Sequence, residues 1–397
     1  MELFVGAFNV PYIYTLFFDP LLAHLNVTHI SNATASHPWI SFAPDQKTLY
    51  GLSWVPPGVS AYRNQRGADD PFHALEFLNS KPVYRVPGYI TSSDSYLYSV
   101  GGASGEVFRV ESDGTLGDLA QQLDFSIEGR ENATAPTGSF SLRNGTHGVE
   151  LSPEGNTLYV SDLGANGVWT LAVSGADGQS GTVAAQKLYK APADNEGLRH
   201  SKPHPNGKIL YVIGEHSNTV DVFSVKKHRN GTVEDVKYLQ NASVLPRGIN
   251  ATNYAAATVR ISTGPPGFAP KYLFATTRGN NATFKGYVSV FELDSEGRLA
   301  RTEAIDVWET PTHGGFSHAL EPAPWVAAVS SGKPFLQYLA LTDEVVGKVR
   351  VLTFDGTRIR EVAAVTLEIP ASDPKAVSKE RVRAANAVWL HPVRCTA

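Results

Sequence analysis

Four residues carry the types and spacing needed for acid–base chemistry on an anion. His147 stands twelve residues ahead of Tyr159, and Arg199 stands twelve ahead of Tyr211, in the matching stretches "HGVELSPEGNTLYVSD" and "RHSKPHPNGKILYVIG". Glu215 falls four residues after Tyr211, and Arg278 four after Phe274, which holds the equivalent place in "LFATTR". The other residues at that second offset are Phe8, Trp54, Gly102, Leu163 and Glu344, a mostly apolar or small background. A histidine beside a glutamate has the parts for proton transfer near neutral pH, with the carboxylate orienting the ring. Two arginines in a pocket suit bidentate recognition of carboxylates. The same residues admit a second reading, in which Glu215 and Arg278 form an ion pair that ties neighbouring elements and His147 is an ordinary strand-end residue.

The elements that would bring these residues together are repeats. Stretches reading apolar–aromatic–apolar follow a turn at "LFVGAF", "LYGLSW", "LYSVGG", "LYVSDL", "LYVIGE", "LFATTR" and "LALTDE", with second residues Phe4, Tyr50, Tyr98, Tyr159, Tyr211, Phe274 and Ala340. Successive copies lie 46 to 66 residues apart. Each continues into a further strand, often closed by an acidic-Gly or Asn-Gly turn such as "ESDG" or "KHRNG", which favours positive φ between antiparallel strands. A period near 50 residues with about four strands per unit predicts an all-β, seven-bladed β-propeller. Amphipathic helices are missing, save a short candidate, "DPKAVSKERV".

Six units open with an inner strand before their aromatic strand, but the first begins directly at "LFVGAF". Its inner strand is expected at the other end of the chain, "ANAVWLHP" at residues 385–392, which would close the ring and leave no open edge. Residues 1–397 then form one domain without linkers. The inner strands would line a central channel with their first residues at one mouth, where the ends of the second strands return. His147, Arg199, Glu215 and Arg278 occupy those two registers.

Composition narrows the function classes. The chain has 397 residues, 42% hydrophobic and 18% charged, with a formal net charge of −4. That balance argues against nucleic acid as partner. Cys395 is the one cysteine, so no intrachain disulfide exists. Eight Asn-x-Ser/Thr acceptors occur, at Asn26, Asn32, Asn132, Asn144, Asn230, Asn241, Asn250 and Asn281. They suggest a secreted or cell-wall protein carrying N-glycans. The opening "MELFVGAFNVPYIYTLFF" lacks a basic start and a small-residue cleavage site, and Pro11 splits its apolar run, so the expectation is a mature form without membrane span. "HSKPH" (His200, His204) has a metal-like spacing, but Pro203 interrupts it and no metal or other cofactor is expected. "THGGFSH" opens the sixth inner strand, that of the seventh unit, making His313 and His318 candidates for pocket lining and substrate binding.

The stretches "THGVELSPEGNTLYVSDLGANGVWTL", "LRHSKPHPNGKILYVIGEHSNTVDVF", "KYLFATTRGNNATFKGYVSVFEL" and "ANAVWL" resemble the fungal carboxy-cis,cis-muconate cyclases, or 3-carboxymuconate lactonizing enzymes. The resemblance covers essentially the whole chain. It implies a metal-free, lactonase-type seven-bladed propeller that adds a carboxylate oxygen to one alkene carbon and a proton to its neighbour. It also implies that His147 and Glu215 are catalytic and that Arg199 and Arg278 bind substrate. Two departures stand out. Where the family has a histidine directly after the glycines and an asparagine later, this chain has Phe316 and His318. An arginine near the start of the sixth unit's inner strand is replaced by Ala255. The expected ligand is a small polycarboxylate or its lactone. Two alternatives remain: a lactone hydrolase, and a non-catalytic secreted glycoprotein on the same scaffold.

Overall fold

The computed structural model describes residues 1–127, 145–173, 183–265, 267–325, 335–373 and 380–391. Its strands make seven four-stranded antiparallel sheets, each one blade of a β-propeller. The inner strands of blades 2 to 7 are Trp39–Phe42, Tyr89–Ser92, Thr146–Leu151, Leu198–Pro203, Tyr254–Ile261 and Leu320–Pro322. Blade 1 closes as the sequence implies: Ala384–Trp389 pairs with Glu2–Ala7, with Leu3 opposite Trp389 and Val5 opposite Ala387.

The repeated aromatic position explains why the blades form. Blades stack face to face, so both faces of a second strand are covered and its apolar run is nearly continuous. Phe4, Tyr50, Tyr211, Phe274 and Ala340 are fully buried, and Tyr98 and Tyr159 almost so. A tyrosine there also needs a partner for its hydroxyl. Tyr50 donates to the Gly114 carbonyl at 3.2 Å, and Tyr211 to that of Gly297. Both glycines sit in acidic-Gly turns of the next blade at φ +88° and +85°, so the turn chemistry supplies the acceptor that ties one blade to its neighbour.

Pairing between the first two strands is interrupted where the site lies. Thr146 pairs with Asp162 and Gly148 with Ser161, leaving His147 as an extra residue; Leu198 pairs with Gly214 and His200 with Ile213, leaving Arg199. Such bulges re-aim one side chain without breaking the strand. This is the structural meaning of the shared twelve-residue offset.

Among the described residues the one helix is a 3₁₀ turn, Ala251–Asn253, and no helix is long and apolar enough to cross a membrane. The helix candidate near residue 373 falls largely outside the described residues, as do Cys395, Asn132 and Asn144. Of the other acceptors, Asn32, Asn230, Asn241, Asn250 and Asn281 are exposed and Asn26 is half-buried. Three of them also do local structural work. The Oδ1 atoms of Asn230, Asn250 and Asn281 accept from the backbone N–H two residues on, and the first two accept the Thr232 and Thr252 hydroxyls as well. Asp113 and Asp355 make the same turn without an acceptor sequence, so the Asn-x-Thr pattern has a folding reason of its own.

Candidate active site

His147 from blade 4, Arg199 and Glu215 from blade 5, and Arg278 from blade 6 converge at one mouth of the channel. Glu215 is the centre. Its Oε2 lies 2.8 Å from Arg199 Nε and its Oε1 3.0 Å from Arg278 Nη2, all three side chains being under a tenth exposed. Arg199 also donates through Nη1 to the Ala257 carbonyl at 2.7 Å, and Arg278 through Nη1 to the Phe316 carbonyl. The expectation that Glu215 orients the imidazole changes accordingly, because both its oxygens meet guanidinium groups. The ion-pair reading and the pocket reading thus merge: Glu215 ties blades 5 and 6 and sets how the arginines are presented. Two arginines against one carboxylate leave a net single positive charge, the sign that holds an anion.

His147 and Arg199 line a cavity with Phe8, Pro38, Trp39, Trp54, Gly88, Phe316 and Ser317. Its volume is about 30 Å³, close to one water molecule's share of the liquid. Beneath it the His200 ring lies 5.1 Å from that of His147 and 5.0 Å from that of Tyr89. Burial, reinforced by the Arg199 charge, pushes the proton affinity of His200 far below the ordinary range. Neutral His200 therefore accepts from Arg199 Nη1, 3.0 Å from its Nε2. His204, just past the far end of the same strand, accepts from Asn206 N at 3.1 Å, so the two histidines of "HSKPH" serve separate environments.

His313 and His318 do not line the cavity; Phe316 and Ser317 of the same segment do. His318 is fully buried, and its Nδ1–H donates to the Thr277 carbonyl at 2.8 Å. Burial pulls its pKa down to about 4. His318 sits just after a turn at φ +47°, in the left-handed region, and this local backbone carries its ring into the blade while Ser317 faces the cavity. His313 is half-buried and holds Gly279 N through its carbonyl.

A charged layer lies deeper in the channel, and sequence reasoning missed it. Glu150, Lys202, Arg260 and Glu321 pair across their strands with Tyr159, Tyr211, Phe274 and Ala340, so four successive blades carry a charge opposite the repeated position. Lys202 Nζ lies 3.1 Å from Glu150, and Arg260 Nε 2.6 Å from Glu321. The Tyr89 hydroxyl bridges them, donating to Glu150 at 2.7 Å and accepting from Arg260 at 3.2 Å. The periodicity shows only once the cross-strand partner of each repeated residue is known. Ala255 pairs with Arg278, and this inner strand keeps an arginine further down, at Arg260.

The family model described as "Lactonase, 7-bladed beta-propeller" matches residues 2–317. The chain belongs to this lactonase propeller family. It is 31% identical over 395 residues to muconate cycloisomerase 1 of Cutaneotrichosporon cutaneum, covering 98% of each chain. It is 24% identical over 398 residues to carboxy-cis,cis-muconate cyclase of Neurospora crassa, covering 95% of this chain and 98% of that one. Among solved structures, the periplasmic gluconolactonase of Pseudomonas aeruginosa superimposes with a TM-score of 0.70 at 18% identity, over 92% of this chain and 96% of that one, a likeness of fold. The resemblance to the muconate cyclases in the sequence is therefore a lactonase-propeller kinship running the length of the chain.

Proposed function

We propose that this lactonase-family propeller is an intramolecular lyase that interconverts a muconate-like polycarboxylate and its lactone. The observation that carries the reading is the convergence of His147, Arg199, Glu215 and Arg278 from three blades on one channel mouth, with His147 and Arg199 on the cavity wall. The two relatives named for muconate chemistry, aligned over nearly the whole chain, support it.

Arg199 would hold a substrate carboxylate against the apolar walls, placing its oxygen beside an alkene carbon, a proximity effect. The oxygen–carbon bond forms as the alkene π pair takes a proton from His147 at the neighbouring carbon. No atom is gained or lost. Arg199 stabilises the negative charge that develops toward the second carboxylate, and Glu215 keeps the arginine in place without cancelling the positive field. Neutral His200 adds no competing charge beneath the ring. In the reverse direction His147 accepts the proton, so protonated imidazole drives lactonisation and neutral imidazole drives opening.

An ultraviolet assay with cis,cis-muconate and its 3-carboxy derivative tests this. Decay of the diene absorbance with the protein, abolished in His147→Ala, is the expected result; no decay with either compound would remove muconates as substrates.

We place the protein in the secretory route, as a secreted or cell-wall glycoprotein. Five exposed acceptor asparagines support this reading. Treatment of the native protein with a peptide N-glycosidase should lower its mass, and an unchanged mass would refute glycan attachment.

A further inference from the structure

The cavity is far smaller than the ~300 Å³ or more of ordinary ligand pockets, so as it stands it does not enclose a muconate-sized molecule against His147. Its cover is aromatic. The Phe8 ring centroid lies 5.4 Å from that of Trp54 and 6.3 Å from that of Phe316. Trp54 is tied by its indole N–H to the Pro87 carbonyl at 3.0 Å. Phe316 instead follows Gly314 and Gly315, at φ +84° and +71°, backbone that any other residue would strain. A side chain at Gly315 would also strike the Glu344 carboxylate, 2.5 Å from its Cβ position.

On its outer side this cover is held by an ion pair, while Arg278 holds the Phe316 carbonyl and the Ser317 hydroxyl donates to the Ala385 carbonyl. Glu344 accepts the Phe316 backbone N–H through Oε2 and Arg383 Nε through Oε1 at 2.7 Å. The Arg383 guanidinium lies over both rings, 5.6 Å from the Phe8 centroid and 5.1 Å from that of Phe316. Its side chain is 40% exposed, whereas that of Glu344 is 6% exposed. Glu344 occupies the same offset in blade 7 that Glu215 occupies in blade 5. From Phe316 the connection continues inward, since its carbonyl accepts from Arg278, which pairs with Glu215.

We propose that the Gly314–Phe316 tip is the gate of the cavity, and that Glu344 and Arg383 are positioning residues that latch it shut until an anionic ligand arrives. Arg383 is half-exposed at the mouth, so an incoming carboxylate meets it first and competes with Glu344 for its guanidinium. Loosening that pair frees Phe316 N and lets the ring swing away on the two glycines. The same movement carries the Phe316 carbonyl relative to Arg278, coupling opening to the presentation of the inner arginines. The inference rests on the cavity being the substrate site.

The test needs no substrate. Native protein and the variants Glu344→Gln and Arg383→Met would be treated with diethyl pyrocarbonate at neutral pH, with peptide mass spectrometry following modification at each histidine. Exposed His24 and His228 report the reagent, and fully covered His37 and His204 report general loosening. Wild-type His147 is expected to react much more slowly than His24. In both variants it should accelerate by about two- to fivefold, as for loss of one partly exposed ion pair, with His37 and His204 unchanged. Unchanged His147 rates, or equal acceleration at His37 and His204, would overturn the gate. Failure to turn over muconates would leave this result standing and count only against the proposed reaction.

Discussion

At the scale of single residues, the site is a problem in charge placement. Glu215 is buried between two guanidinium groups, so neutralising it strands two cations at the channel mouth. Glu215→Gln is expected to cost about 3–5 kcal/mol, read as a lower urea midpoint, because breaking a buried pair leaves uncompensated charge. A cost below about 1 kcal/mol would mean that water already screens the pair. Two other buried histidines set an acid limit on stability. Burial pulls the pKa values of both His37 and His318 down to about 4, against about 6.5 in an unfolded chain. Through these two rings the folded protein binds fewer protons than the unfolded chain, and the stability they carry is complete above about pH 6.5. It falls as the pH drops toward 4, by up to roughly 1.4 kcal/mol per pH unit for each group. From pH 7 to pH 5 the urea midpoint should fall less in the double variant His37→Asn/His318→Asn than in the wild type. The sequence made the types of these residues legible, but not their partners. Nothing in the spacing of Glu215 says that its oxygens meet Arg199 and Arg278, and nothing in "GGFSH" says which neighbour faces the cavity.

At the scale of elements, the common offset of His147 and Arg199 was legible because the repeats share a register. Its cause was not, since a bulge belongs to a pair of strands and a sequence shows one at a time. The bulge also brings adjacent inner strands close. A Cβ at Gly148 would lie 2.6 Å from the Arg199 carbonyl oxygen and 3.1 Å from His200 Cα, contacts with backbone that have little room to yield. Gly148→Ala should therefore push blades 4 and 5 apart at the site and destabilise the protein by about 1–3 kcal/mol, with a larger proportional loss of turnover than of stability. A variant as stable and active as the wild type would show that the inner strands slide freely. The charged layer of Glu150, Lys202, Arg260 and Glu321 belongs to this scale too: each residue alone looks like ordinary strand polarity, and only the pairing partner shows that all four share one level.

At the scale of the whole molecule, seven copies of one pattern and a displaced last strand made the ring legible, because a propeller repeats its local rules. Closure rests on Trp389, which is 2% exposed, packs near Phe18 and donates its indole N–H to the Glu321 carbonyl at 2.9 Å, joining the last inner strand to blade 7. Trp389→Ala should cost about 3–5 kcal/mol and lower the midpoint of a single cooperative thermal transition. A separate early transition confined to part of the β signal would mean that the blades melt independently. Function was legible only as a class of chemistry, since fold alone does not choose a reaction. The deciding measurement is proton NMR of the lactone formed from cis,cis-muconate or its 3-carboxy derivative in D₂O, with wild-type protein and His147→Ala. The expected result is a lactone carrying one deuteron on the carbon beside the new C–O bond, formed by the wild type alone. Lactone formed equally by His147→Ala, or no lactone from either compound, would contradict the central claim.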